Sequence, residues 1–160
     1  MKNNISKLFA VFAAFLMIAA LTDTNYAQRN ARRAGYTKQQ VEQLLERLEE
    51  RTDAYSNQLN KSLDRSRLDG SRAEDNIAER ASELENATDE LRREFDHNDT
   101  RGENRPEAEK VLTTATTLDR LMRSRNFGGQ TESTWAALRA ELNILAKLYG
   151  LQAVGSRSYR

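Results

Sequence analysis

The sequence predicts an all-α protein, an up-down four-helix bundle made of two antiparallel helical hairpins. Three observations carry that prediction. Four long segments repeat apolar residues at alternating spacings of four and three, the rhythm of one helix face. The glycines and the single proline fall at Gly35, Gly70, Gly102, Pro106, Gly128, Gly129, Gly150 and Gly155, between those segments and never inside them. Apolar stripes this wide must be buried against one another, and short turns force successive helices antiparallel.

Ahead of the first helix, Lys2 and Lys7 precede an uninterrupted apolar run, Leu8 to Leu21, and a polar stretch that ends on the small residue Ala27. That order is the order of a secretory signal peptide, and cleavage is expected after Ala27, although Asn25 is larger than the residue usually found three places before a cut. As a helix the run spans roughly 21 Å, short of a hydrocarbon core of about 30 Å, so no stable membrane span is expected once the signal is removed. No cysteine follows it to carry a lipid. The protein is therefore expected to be exported, periplasmic or secreted, with residues 28–36 a flexible mature N-terminus.

The first helix, expected near residues 37–67, carries Val41, Leu45, Leu48, Thr52, Tyr55 and Leu59, with Leu44 and Leu63 widening the stripe. Ile77, Ala81, Leu84, Thr88, Leu91 and Phe95 mark the second, near 71–98. Ala108, Val111, Ala115, Leu118 and Met122 mark the third, near 105–126, and Trp135, Leu138, Leu142, Leu145 and Tyr149 the fourth, near 131–149. Thr37 with Gln40, Ser71 with Glu74 and Asn104 with Glu107 have the spacing of capping boxes. Gly150 followed by Leu151 suits a Schellman stop. The bundle is thus expected over 37–151, followed by a disordered tail over 152–160.

RSRLDG, from Arg65 to Gly70, is echoed by RSRNFG, from Arg123 to Gly128, and at the same offset Ile77 meets Trp135, Leu84 meets Leu142 and Leu91 meets Tyr149. Duplication of a helical hairpin would produce this echo. So would the shared preference of helix ends for arginine and of turns for glycine.

Charge and composition exclude several functions. The chain has 25 Lys plus Arg and 24 Asp plus Glu. Removing Lys2, Lys7 and Asp23 leaves a formally neutral mature chain with interspersed signs, so no nucleic-acid partner is expected. Without cysteine there is no disulfide, thiol chemistry or thioether-linked haem. His97 is the single histidine and lies at the end of the second helix, where it complements the dipole. Glu94 and His97 make one Glu-x-x-His pattern, but a di-iron bundle site needs two and the chain has a single histidine; no nucleophile elbow or phosphate-binding glycine motif is present. An enzyme is not expected, nor is a cofactor.

One loop has weak ion-binding spacing. Counted from Asp96, oxygen-bearing side chains stand at calcium-loop positions 1, 3, 5, 9 and 12, as Asp96, Asn98, Thr100, Asn104 and Glu107. Arg101 occupies the position that belongs to glycine and brings positive charge into the site. Trp135 with Phe127 and Tyr149 offers a second candidate, an aromatic pocket, against the plainer reading of Trp135 and Tyr149 as core anchors of the fourth helix. Arg29, Arg32, Arg33, Arg157 and Arg160 gather positive charge at the termini of the mature chain.

SRLDGSRAED (66–75), ENATDELRREFD (85–96) and WAALRAELNILAKLY (135–149) together resemble a family of exported bacterial helical proteins to which no activity is assigned. The resemblance implies export and helical hairpins, brings no catalytic residues, and singles out Leu68, Asp69, Gly70, Asp89, Leu91 and Trp135. A weaker similarity links YTKQQ, Tyr36 to Gln40, to periplasmic helical chaperones of the LTXXQ class. Tyr36 stands where that motif has leucine, there is no second copy, and a capping box explains the same residues.

The function expected is noncatalytic: binding of another protein or of the cell envelope, chaperone-like in its weaker resemblance, through an apolar surface left after the bundle closes. A homo-oligomer is compatible with this. The alternative is calcium or small-ligand binding by the bundle or by the 96–107 loop.

Overall fold

The computed structural model describes residues 36–97, 102–125 and 127–156. The expected signal peptide, the arginines of the mature N-terminus, Asn98, Thr100, Arg101, Arg157 and Arg160 lie outside the described residues. Four helices follow one another: α1 (Lys38–Leu63), α2 (Arg72–His97), α3 (Arg105–Arg123) and α4 (Gly129–Tyr149). Packing runs round a ring, α1 on α2, α2 on α3, α3 on α4 and α4 back on α1, which is the four-helix bundle expected from the apolar stripes. Among the described residues no helix is long and apolar enough to cross a membrane.

The stripes meet in one core. Leu45, Leu48, Tyr55, Leu59, Leu84, Leu91, Leu118, Leu138, Leu142 and Leu145 have no measurable exposure, and Met122 is buried with them. At about 1.5–3 kcal/mol for each large apolar side chain removed from water, this burial is the main force opposing the chain's conformational entropy.

The ends show which local signals operate. Thr37 caps α1 reciprocally: Gln40 N donates to Thr37 Oγ1 at 3.2 Å and Thr37 N donates to Gln40 Oε1 at 2.9 Å. Glu74 N donates to Ser71 Oγ at 3.2 Å, while the Glu74 carboxylate reaches one residue further, to Gly70 N at 2.6 Å. Asn104 does not form the expected box. Its backbone sits at φ −86°, ψ 3°, away from the extended conformation that aims a capping side chain at the third amide, and its side chain makes no cap bond. α4 ends as expected: Gly150 is left-handed at φ +63°, Leu151 N donates to Ala146 O at 2.8 Å and Gly150 N to Lys147 O at 3.3 Å.

Two helices stop earlier than their periodicity suggests. α1 ends at Leu63, and Leu68 N donates to Ser66 Oγ at 2.9 Å, a local bond that competes with helix continuation. α3 ends at Arg123, where Ser124 bonds the Leu121 carbonyl through both its amide and its hydroxyl. The echoed turns share a backbone feature, since Gly70 and Gly128 both have positive φ, +71° and +90°.

Residues 152–156 depart from the loose tail expected. Leu151 to Ser156 turn back along the α3–α4 side, Val154 is buried, and its amide donates to Asn143 Oδ1 at 2.8 Å. A short segment becomes ordered when it buries an apolar side chain and hands its amides to a helix, and neither condition is visible in local sequence.

Candidate functional site

The most unusual chemistry of the bundle lies where α3 faces α4. Asp119 follows Ala115 by four residues and precedes Met122 by three, so the helical repeat places an acid on the buried face of α3. It is 2% exposed. Trp135 Nε1 donates to its Oδ1 at 3.0 Å, and Arg139 Nη1 reaches the same oxygen at 3.2 Å. Arg123, one turn along α3, holds Oδ2 through Nε at 2.7 Å. A carboxylate removed from water loses several kcal/mol of hydration, and only charged or hydrogen-bonding partners placed in advance can offset that. Asp119 has three.

The network extends into the core. The Trp135 ring lies 5.0 Å from the Tyr55 ring, the planes tilted by 47°. The Tyr55 hydroxyl is buried and has no hydrogen-bond partner. Burial first, and then the Asp119 charge, push its phenol above the ordinary tyrosine range, so it stays protonated.

Arg123 also joins this centre to the C-terminal segment, since its Nη2 donates to Gly155 O at 3.3 Å. Gly155 is held at φ +81°, and a Cβ there would run into Arg123 Nη2 and come within 3.3 Å of Asp119 Oδ2. Two openings flank Asp119 and Arg123. The larger, a groove of about 660 Å³, runs between α3 and residues 151–156, past Thr113, Thr116, Thr117 and Arg120. The smaller, of about 280 Å³, lies between α3 and α4 beside Arg125, Glu132, Trp135 and Arg139. Guanidinium, hydroxyl, amide and carboxylate groups line them, together with Leu112 and Leu151 in the larger.

A second polar pin joins α1 to α4. Glu141, whose side chain is 11% exposed, receives Arg47 at both oxygens at 3.4 Å and Arg51 Nε at 3.5 Å. Toward the opposite end of the same helix pair, Ser62 and Thr131 share a 2.6 Å hydrogen bond. Asp119 and Glu141 were both readable as acids inside apolar stripes, Glu141 falling three residues after Leu138 and four before Leu145. Neither was among the residues singled out from sequence.

The residues singled out from sequence are scattered. Leu68, half-buried, and the exposed Asp69 and Gly70 lie in the turn between α1 and α2, and the backbone of Gly70 needs the left-handed region. Trp135 enters the Asp119 network and packs at a tilt against Tyr55. Tyr149 is buried, and its carbonyl accepts a bond from Arg105 Nη1, tying the end of α4 to the start of α3.

In the 96–107 stretch, Asp96 pairs with Arg92 at 3.5 Å, Asn104 is buried, and the buried Oε2 of Glu107 has no hydrogen-bond partner. Asn98 and Thr100 lie outside the described residues, and among the described residues no group of three or more His, Asp or Glu side chains is placed to hold a metal ion. His97 Nδ1 bonds the Arg93 carbonyl at 2.7 Å, at the end of α2.

The expected leftover apolar face is absent among the described residues, where Tyr36 is the one large hydrophobic counted as exposed. Ring closure buries every stripe, because each helix has two neighbours.

No family model matches the chain, and neither the curated proteins nor the solved structures yield a significant match.

Proposed function

We propose that this protein is an exported, noncatalytic helical-bundle module that binds another protein or a component of the cell envelope. Its contact surface is the groove between α3 and residues 151–156. The observation that carries this reading is the combination of a closed core with an open groove: apolar surface is used up inside, while hydroxyl, amide and guanidinium groups line a trough of about 660 Å³. Protein contacts made by such a surface are polar and wet, and they depend on shape and on a few charged anchors. Export rests on the signal-like order of residues 1–27.

The test is capture from envelope fractions by the immobilised protein purified after export. Thr116→Arg would fill the groove, whereas Glu42→Arg alters a distant face of α1. Capture lost with the first and kept with the second supports the reading. Equal capture by both variants, or none by the parent protein, sinks it.

A further inference from the structure

We propose that the α3 face bordering the groove is a self-complementary surface, and that a second copy of this chain occupies it as an antiparallel, two-fold pair of α3 helices. The inference shares with the reading above only that the groove is a contact surface and goes beyond it in naming a second copy as an occupant, so a dimer that captures no envelope partner would support the pairing and remove the envelope reading.

Val111 to Leu118 is the longest uncharged run inside any of the four helices, in a chain that is 31% charged. Four of its eight residues are threonine, a β-branched type that a solvent-facing helix has no local reason to prefer. Thr116 and Thr117 donate their hydroxyl protons to the carbonyls of Leu112 and Thr113, at 2.7 and 3.2 Å, so those donors are already used within the helix. Depletion of charge from the centre of a patch, with charges at its rim, is the composition of an interface rather than of free surface.

The rim supplies the geometry. Glu109, Thr113, Thr116 and Arg120 recur at spacings of four, three and four along one side of α3, and all four line the groove. Glu109 and Arg120 are exposed, and neither has an ion-pair partner within the bundle among the described residues. The pattern is symmetric about the Thr114–Ala115 peptide bond, where Glu109 mirrors Arg120 and Thr113 mirrors Thr116. An antiparallel second α3 therefore sets Glu109 of each copy against Arg120 of the other, roughly 16 Å apart along the helix, with small threonines between them allowing close approach. A two-fold axis makes the same contact twice, which is the defining property of an isologous dimer. Residues 151–156 form the far wall of the groove and add area to a helix pair that alone would bury little.

The experiment is sedimentation of the protein purified after export, from about 5 to 500 μM, a range suited to a small interface. A dimer is expected to form within it. Glu109→Arg and Arg120→Glu are each expected to weaken the dimer at least about tenfold, because each reversal spoils two contacts, and the double reversal restores it to within about threefold. Circular dichroism melts of both exposed-residue variants should match the parent. A monomer throughout, a dimer indifferent to the single reversals, or a double reversal that fails to restore it overturns the proposal. A monomer that still captures an envelope partner through the groove overturns the self-pairing while leaving the binding function intact. A monomer without capture removes both.

Discussion

Trp135 on α4 donates its indole proton to Asp119 on α3 at 3.0 Å, inside the bundle, at a carboxylate oxygen that Arg139 also holds. This bond ties the two helices at the side where the C-terminal segment folds back, and Arg123 carries the same carboxylate's influence on to Gly155. Removing the carboxylate leaves an indole N–H and two guanidinium groups without their partner. Asp119→Ala is expected to cost about 2–4 kcal/mol in urea unfolding, since its arginines retain some access to water. Trp135→Phe should cost about 1–3 kcal/mol, and the double mutant less than the sum of the two. Strict additivity would show that the two residues act independently.

The Tyr55 hydroxyl carries a desolvation cost without a bond to offset it, beside a negative charge. Tyr55→Phe is therefore expected to be neutral or to stabilise by up to about 1 kcal/mol, read as an unchanged or raised melting temperature. A loss larger than about 1 kcal/mol would reveal a hydrogen bond to this oxygen.

Asp53 on α1 has its carboxyl raised above the usual aspartate value, first by partial burial and second by the Asp89 carboxylate on α2. An acid with a raised folded-state pKa destabilises the fold while it is ionised, and the penalty fades as pH falls through that pKa towards the unfolded value. Asp53→Asn should accordingly stabilise at neutral pH by about 0.5 kcal/mol or less, because the group is largely solvated. The gain should shrink in acid, and added salt should reduce the repulsive part. Unfolding curves at neutral and acidic pH with the same gain would contradict this origin.

Gly155 links the C-terminal segment to Arg123 from a left-handed backbone. Gly155→Ala combines an unfavourable φ with a Cβ directed at Arg123 Nη2, and should cost about 1–2 kcal/mol. Faster amide exchange at Val154 would accompany it, because the same short segment holds Val154 against Asn143. Unchanged exchange would separate the two contacts.

Periodicity and punctuation were enough to determine four helices, their order, the core stripe of each, the Thr37 cap and the stop at Gly150. These are local properties: a stripe is written in spacings of three and four residues, and a cap within about one turn. Asn104 shows the limit even at that range, because spacing alone does not set the backbone angle that lets a side chain cap.

What only the tertiary structure decided is which polar residues meet and which surface remains. Arg47 and Glu141 are 94 residues apart in the chain, and Trp135 and Asp119 lie on different helices. Their pairing depends on how each helix is rotated about its axis once the ring closes. The same closure left no broad apolar face among the described residues, drew Val154 inward and placed Glu109, the threonines and Arg120 along a groove. Helix formation follows from neighbours in sequence, whereas burial of a charge and exposure of a face follow from the packing of all four helices together.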